Sequence, residues 1–403
     1  MQSVRRIWFF AAAFVWLAAA ATAAHAQTLV YLVSYTNTPA SFRAKYANGI
    51  FPIHPKTPQE QIAISRRTIR NEIWAVSLKD GKRTRLFSDE GTNFELTPAV
   101  DMGHSPFAKG SAYLRGMERT LKKVPQQSIP IVHETPQGVY EVSLDGSNRF
   151  RRLADATQNM SVAMVNAAGT RAAFYGWEDK GGYFLYVYEL PSANLLTRAN
   201  ITTVLQARCG NCQPETSGWM ADGKRLFFTL EEGDVDDEPD SATVAPGVYI
   251  LSEDGKNLGM LPVHAGQMNL PGYRRETSIA PYLIAQLRDG SYVFRDYALK
   301  KNAPMKPPIE LQPLLVFTGP DFQTRKVAPI EKLRASSFEL SPDGHFLAFV
   351  EDRQLPSYKT ERHIWTLNLQ TGEETELFIV PPPNLPNSPT PNESAFLLGW
   401  LEN

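Results

Sequence analysis

Apolar and polar positions alternate along most of this chain in short runs, and glycine-bearing turns separate the runs. The stretch Ala335–Val380, ASSFELSPDGHFLAFVEDRQLPSYKTERHIWTLNLQTGEETELFIV, shows the unit most clearly. It reads as four strands in a row, with a Pro-Asp-Gly turn after the first and a Thr-Gly turn before the last. A period of two marks half-buried strands. Glycine at the turns supplies the positive φ that tight hairpins need.

The turns recur. One set carries Gly169, Gly223, Gly290 and Gly344, spaced 54, 67 and 54 residues apart. A second set carries Gly81, Gly146, Gly255, Gly319 and Gly372, and Pro191-Ser192-Ala193-Asn194 fills the gap between Gly146 and Gly255. Aromatic residues keep fixed offsets from these turns: Phe174, Phe228 and Phe349 after the first kind, Trp74, Tyr140, Tyr249 and Trp365 before the second, with Tyr186 in the matching strand. One aromatic per unit at one place is what stacked sheets need to fill the space between them.

Five units follow: Phe94–Ala156, Asn159–Ala199, Pro214–Leu261, Ser278–Pro329 and Ser336–Val380. The fourth of these fits least well, because Leu314–Phe317 lacks the aromatic spacing of the repeat. A sixth unit is split between the chain ends. Leu398-Gly399-Trp400-Leu401 resembles Gly218-Trp219-Met220, a strand leading into a turn of the first kind. Gln27–Val33 reads as the strand after such a turn, and Ile73–Leu78 with Thr84–Ser88 completes the unit. The pattern predicts an all-β chain, a six-bladed β-propeller closed by pairing of the C-terminal strand with the N-terminal strands. Closure removes the large open edges that a flat sheet would expose.

Composition adds the setting. Of 403 residues, 43% are hydrophobic, enough for a large core, and 30 Pro with 26 Gly serve the turns. Residues 1–26 form a signal peptide by pattern: Arg5 and Arg6, the apolar run Ile7–Ala21, then Ala24-His25-Ala26 at the cleavage point. Residues 27–403 are then a single propeller domain. Without Arg5 and Arg6, 39 basic residues face 42 acidic ones, a net charge of −3, which disfavours nucleic acid as a partner. No later run approaches membrane-spanning length. The expected location is periplasmic or secreted.

The SPDGHFLAFV…IWTLNLQTGEETEL unit resembles the repeats of the TolB-type (WD40-like) propellers of bacterial envelopes. The resemblance implies a fold more than an activity, since such repeats also accompany peptidases and lyase-like propellers. TolB carries a separate α/β domain before its propeller, whereas here the propeller is expected to begin at Thr28. No G-x-S-x-G elbow occurs in the sequence, and the hydrolase domain that prolyl-oligopeptidase-type enzymes carry outside the ring is not expected.

The longest segments between units fall on the second-to-third strand connections, so they gather on one face: 36–70, 117–137, 231–246, 297–312 and 352–363. Thr57-Pro58-Gln59-Glu60 reads as a helix start with a capping box, the helix running to about Arg67. Candidate binding residues on that face are Arg66, Arg67 and Arg70, then Arg119, Lys122 and Lys123, and on the acidic side Asp236 and Asp237. A face with basic and acidic sides can orient a protein partner. The acidic run Glu231–Asp240 offers oxygen ligands to Ca²⁺ but lacks EF-hand order, so no cofactor and no metal is the expectation. Cys209 and Cys212 are the only cysteines, and in an oxidising compartment a local disulfide is the default reading of CGNC. No two of the histidines His54, His104, His133, His264, His345 and His363 lie three or four apart, and none has metal-motif spacing.

These features lead to one expectation: an exported, monomeric, non-catalytic propeller that binds an envelope or secreted protein, or a glycan, through its long-connection face. The alternatives are a propeller enzyme of lyase or lactonase type with its site at the central channel, and a sensor of a small ligand held there.

Overall fold

The computed structural model describes residues 28–37, 68–92, 94–97, 107–108, 110–122, 131–155, 164–166, 168–178, 182–201, 216–230, 247–263, 268–274, 281–287, 289–302, 311–330, 335–341, 343–354, 360–380 and 394–401. Among them all regular structure is strand, and no helix is long and apolar enough to cross a membrane. The helix expected after Thr57 lies outside the described residues.

The strands form six antiparallel sheets. Blade 1 holds β1 (Thr28–Asn37), β2 (Thr68–Ser77) and β3 (Arg83–Thr92), with the last strand of the chain on its inner side. Blade 2 holds β4 (Phe94–Thr97), β5 (Phe107–Ala108), β6 (Ser111–Lys122), β7 (Ile131–Ser143) and β8 (Phe150–Asp155). Blade 3 holds β9 (Met164–Val165), β10 (Arg171–Glu178), β11 (Gly182–Glu189) and β12 (Leu195–Asn200). Blade 4 holds β13 (Thr216–Trp219), β14 (Arg225–Leu230), β15 (Gly247–Ser252) and β16 (Leu258–Met260). Blade 5 holds β17 (Tyr273–Arg274), β18 (Tyr282–Gln286), β19 (Tyr292–Lys300), β20 (Gln312–Thr318) and β21 (Thr324–Pro329). Blade 6 holds β22 (Ala335–Leu340), β23 (Phe346–Gln354), β24 (Thr360–Asn368) and β25 (Glu374–Val380). The closing strand is β26 (Ser394–Leu401), which pairs with β1 from Thr28↔Leu401 to Ser34↔Ser394. The split unit is therefore a real blade, and the ring closes as the sequence predicts.

The turn glycines do what their positions imply. First-to-second connections span 166–170, 220–224, 287–291 and 341–345, and third-to-fourth connections span 78–82, 190–194, 253–257, 319–323 and 369–373, five residues in each. The exceptions are both in blade 2: 144–149 is one residue longer, and 109–110 alone joins β5 to β6. Gly255 has φ +72, and a Cβ there would sit 2.6 Å from Ala199 Cβ in blade 3, so both the turn and the blade contact require glycine. On the opposite face the second-to-third connections span 38–67, 123–130, 179–181, 231–246, 301–311 and 355–359. The second of these is shorter than the 117–137 expected from sequence. There β6 and β7 continue to pair from Met117↔Pro136 to Lys122↔Ile131.

Each second strand offers one large residue to the third strand directly opposite: Tyr31–Trp74, Leu114–Tyr140, Phe174–Tyr186, Phe228–Tyr249, Phe294–Val316 and Phe349–Trp365. Blade 5 has Val316 where its siblings have an aromatic, which is the misfit visible in the sequence. Every pair faces the preceding blade. Tyr31 packs with Ala348 and Ile364 of blade 6, Phe174 with Tyr113 and Leu153 of blade 2, and Phe294 with Phe227 and Val248 of blade 4. Six apolar clusters result, one for each seam between blades. Burial of such side chains, at about 25 cal/mol per Å² of apolar surface, is the main force holding the ring.

Polar staples cross the same seams. Trp219 Nε1 donates to the Met164 carbonyl of the preceding inner strand at 2.9 Å, and Trp400 Nε1 donates to the Glu339 carbonyl at 3.1 Å. The Leu96 and Ser88 amides donate to Asn71 Oδ1 and Asn148 Oδ1 across the seam of blades 1 and 2. The Ala221 amide donates to Gln286 Oε1 across the seam of blades 4 and 5.

Replacing Trp400 with Phe leaves the Glu339 carbonyl without its donor at the closing seam. Unfolding in urea should report a loss of about 1–3 kcal/mol, and Trp219→Phe should lose a similar amount. Equal stability to wild type in both variants would show that the indole bonds contribute nothing.

A second prediction comes from the turns. Asp80, Asp145, Asp222, Asp254, Asp289 and Asp343 each accept the amide two residues on through Oδ1. Their carboxyls titrate below the usual range. The Lys82 amide leads at Asp80, the hydroxyls of Ser147, Ser252 and Ser291 lead at Asp145, Asp254 and Asp289, and at Asp222 and Asp343 the hydrogen bonds outweigh an opposing effect of burial. Folded-state values below unfolded ones mean that the unfolded chain binds more protons in acid. Stability should therefore be level above the unfolded carboxylate pKa and fall as pH drops below about 4. Denaturant unfolding between pH 7 and pH 3 checks this, and changing all six to Asn should flatten that acid limb.

Candidate functional site

Charged side chains repeat along the outer two strands of several blades. In register with the third-strand aromatic, the outer strand places Arg85 opposite Trp74, Arg152 opposite Tyr140 and Arg198 opposite Tyr186. In blade 1, Trp74 Nε1 donates to Glu72 Oε2 at 3.0 Å, and Glu72 Oε1 lies 3.4 Å from both Arg70 and Arg85. The Glu72 side chain is only 5% exposed. In blade 3 the Tyr186 hydroxyl donates to Glu178, which also pairs with Arg198. Burial, then the nearby Glu178 carboxylate, pushes Tyr186 up to about 12, so its phenol stays neutral.

Blade 6 departs from this rule. Glu376 stands opposite Trp365 where blades 1 to 3 have arginine, and His363 stands two residues before Trp365 where blade 1 has Glu72. Acidic and basic side chains have exchanged places, and the contact persists: His363 Nδ1 lies 3.1 Å from Glu376 Oε2. Glu351, directly across from His363, accepts Trp365 Nε1 at 3.0 Å and Arg353 at 3.1 Å. Arg362 Nε donates to Asp352 Oδ1 at 3.0 Å.

Blade 5 contributes a buried guanidinium. Arg295 sits 4.9 Å from the Tyr282 ring, 5.1 Å from Tyr297 and 5.4 Å from Phe338, where the inner strands of blades 5 and 6 meet. The adjacent Asp296 is buried and accepts the Tyr297 amide. Sequence reasoning passed over this group. The available signal was Arg295-Asp296 interrupting the apolar strand Tyr292–Lys300 between aromatic residues.

The candidates named from sequence are only partly placed. Arg70 is on β2, half-buried against Glu72. Arg119 and Lys122 lie on the β6–β7 arm, in register with Glu134 and Ile131. Arg66, Arg67, Lys123, Asp236, Asp237, Cys209 and Cys212 lie outside the described residues, and so does any disulfide between the two cysteines. Among the described residues no group of three or more His, Cys, Asp or Glu is disposed to hold a metal ion. A shallow groove of about 580 Å³ on the side of blade 2 is lined by Ser111, Glu141, Arg149, Phe150 and Arg151. Its carboxylate is already held by Arg151 and the Tyr113 hydroxyl.

Removing a nearly buried carboxylate that balances two arginines and an indole should be costly. Glu72→Ala should destabilise the fold by about 3 kcal/mol in urea titration. Arg198→Ala, which breaks an exposed pair, should change the midpoint much less.

Comparison with known proteins returns structures rather than sequences. No protein-family model matches the chain, and no curated protein sequence does. TolB from Acinetobacter baumannii is similar at 10% identity with a TM-score of 0.38, over 77% of this chain and 65% of its own length. A protein assigned as TolB from Agrobacterium tumefaciens is similar at 13% identity with a TM-score of 0.42, over 92% of this chain and 98% of its own. An oligogalacturonate lyase from Vibrio parahaemolyticus reaches 9% identity and 0.39, over 71% and 84%. These likenesses are remote, and activity does not transfer across them.

Proposed function

We propose that this chain is an exported, non-catalytic ring that binds an envelope or secreted protein through its long-connection face. The observation that carries this reading is the asymmetry of the connections. One face consists mostly of five-residue turns, most of them tied down by an Asx hydrogen bond or a turn glycine, whereas the other carries connections of very unequal length. Variable loops on a rigid scaffold are where binding surfaces arise. The charged groups on the outer strands are engaged with one another, which suits a structural support better than a reaction centre.

Charge order supports a protein partner over a glycan. The basic candidates Arg66, Arg67, Arg119, Lys122 and Lys123 belong to blades 1 and 2, and Asp236 and Asp237 belong to the 231–246 connection of blade 4, across the ring from blade 1. A partner with opposed charges of its own would be oriented by that field. The leader-like residues 1–26 give the envelope or secreted setting.

The test compares three proteins in capture from envelope extract: wild type, Arg119→Glu/Lys122→Glu on the arm, and Lys79→Glu/Lys82→Glu on the turn face. A partner kept by wild type and by the turn-face variant but lost by the arm variant is the expected result. Loss only in the turn-face variant overturns the choice of face. No partner, together with turnover of a uronate polymer or a lactone, replaces the binding reading with the enzymatic one.

A further inference from the structure

The β6–β7 hairpin of blade 2 outruns the strands on both of its sides. β4 ends its pairing with β6 at Phe94↔Glu118, and β8 ends its pairing with β7 at Gly138↔Asp155. Past both, four rungs consist of two strands only, from Arg119↔Glu134 to Lys122↔Ile131. The chain upstream of β4 does not prolong that strand along β6. Only Asn93 separates Phe94 from Thr92, and Thr92 pairs with Ile69 of blade 1. Among the described residues no strand therefore takes the inner edge of β6 from Arg119 to Lys122. A two-stranded ribbon is marginal in water, and an open edge is a template for a further strand. The opposite edge, on β7, is blunted by Pro136, which has no amide hydrogen to give.

We propose that the inner edge of β6 at Arg119–Lys122 takes up an extended acidic segment of a partner protein as an added strand. The inference rests on the binding reading above and names the chemistry of the contact. Backbone ladder bonds hold the added strand, and side-chain charge selects it. Three of the five residues from Arg119 to Lys123 are basic and none is acidic. Glu134, across from Arg119 on β7, offsets one of these charges and leaves the arm basic. A second copy of the same edge sets like charges opposite one another, which disfavours self-pairing. Aspartate or glutamate on an incoming strand meets the basic residues instead. The other overhangs lack this bias. In blade 1, β26 stops at Ser34 and leaves Tyr35–Asn37, which carry no charge. In blade 6, β22 stops at Glu351 and leaves Asp352–Gln354, where Asp352 already accepts Arg362. Four residues make about 13 Å of open ladder, which suits a short linear segment.

The probe is an acetylated heptapeptide that alternates Asp or Glu with Val, added to the mature chain and followed by amide NMR shifts. Saturable shifts should centre on Arg119–Lys122. A peptide with two consecutive central amides N-methylated keeps its charge but cannot ladder through either edge, and it should not bind. An analogue with Lys in place of the acids should not bind either. Arg119→Glu/Lys122→Glu should lose the acidic peptide while keeping the wild-type unfolding midpoint, and Lys79→Glu/Lys82→Glu on the turn face should keep it. No shift at millimolar peptide overturns the edge site, as do shifts centred elsewhere or equal binding by the N-methylated or lysine peptide. In capture from envelope extract, the acidic peptide should also displace the partner. A captured partner that the peptide does not displace overturns strand addition at this edge and leaves the binding reading standing. Peptide bound at the edge with no partner captured supports the edge and counts against the binding reading alone.

Discussion

No blade of this protein can bury its own faces. Each sheet is four strands deep, carries large apolar residues on both sides, and finds cover only against its two neighbours. The six second-to-third strand pairs, from Tyr31–Trp74 to Phe349–Trp365, supply the bulk that fills each seam, always toward the preceding blade. Removing one wedge exposes two sheets at once. Every other feature, from turn length to the position of the chain ends, is compatible with keeping those six seams closed.

Closure makes the constraint mutual. The last strand must reach the first, and it arrives with the same indole device used elsewhere: Trp400 bonds the Glu339 carbonyl as Trp219 bonds the Met164 carbonyl. Apolar packing has no direction, so it does not by itself set how far one blade slides against the next. The directional bonds from Trp219, Trp400, Asn71, Asn148 and Gln286 set that slip.

Against this regular background the departures stand out. Blades 1 to 3 place an arginine opposite the third-strand aromatic. Blade 4 has Met260, blade 5 has Val327 and blade 6 has Glu376. In blade 6 the reversal is paired with a reversal at His363, so a buried imidazole and carboxylates occupy ground that blade 1 gives to Glu72 and Arg85. Two compensating changes within one blade keep a contact between an acidic and a basic side chain while changing its chemistry. The aromatic enclosure of Arg295 is the other break in the repeat, set where two inner strands meet.

Strand period, turn glycines and the split Gly-Trp unit determined the blade count, the closure and the wedge positions, because those depend on local alternation and on spacing that survives in a single chain. Even the weak fifth blade was legible, through the missing aromatic at Val316. Tertiary structure decided the rest. Whether 117–122 and 131–137 form a loop or a ladder depends on pairing across the hairpin. The environments of His363 and Arg295 arise from side chains on different strands, and for Arg295 on different blades. His363 meets Glu376 thirteen residues away only because a third-strand and an outer-strand position fall into register. Spacing along the chain carries no trace of that meeting, since the contact belongs to the ladder rather than to a motif.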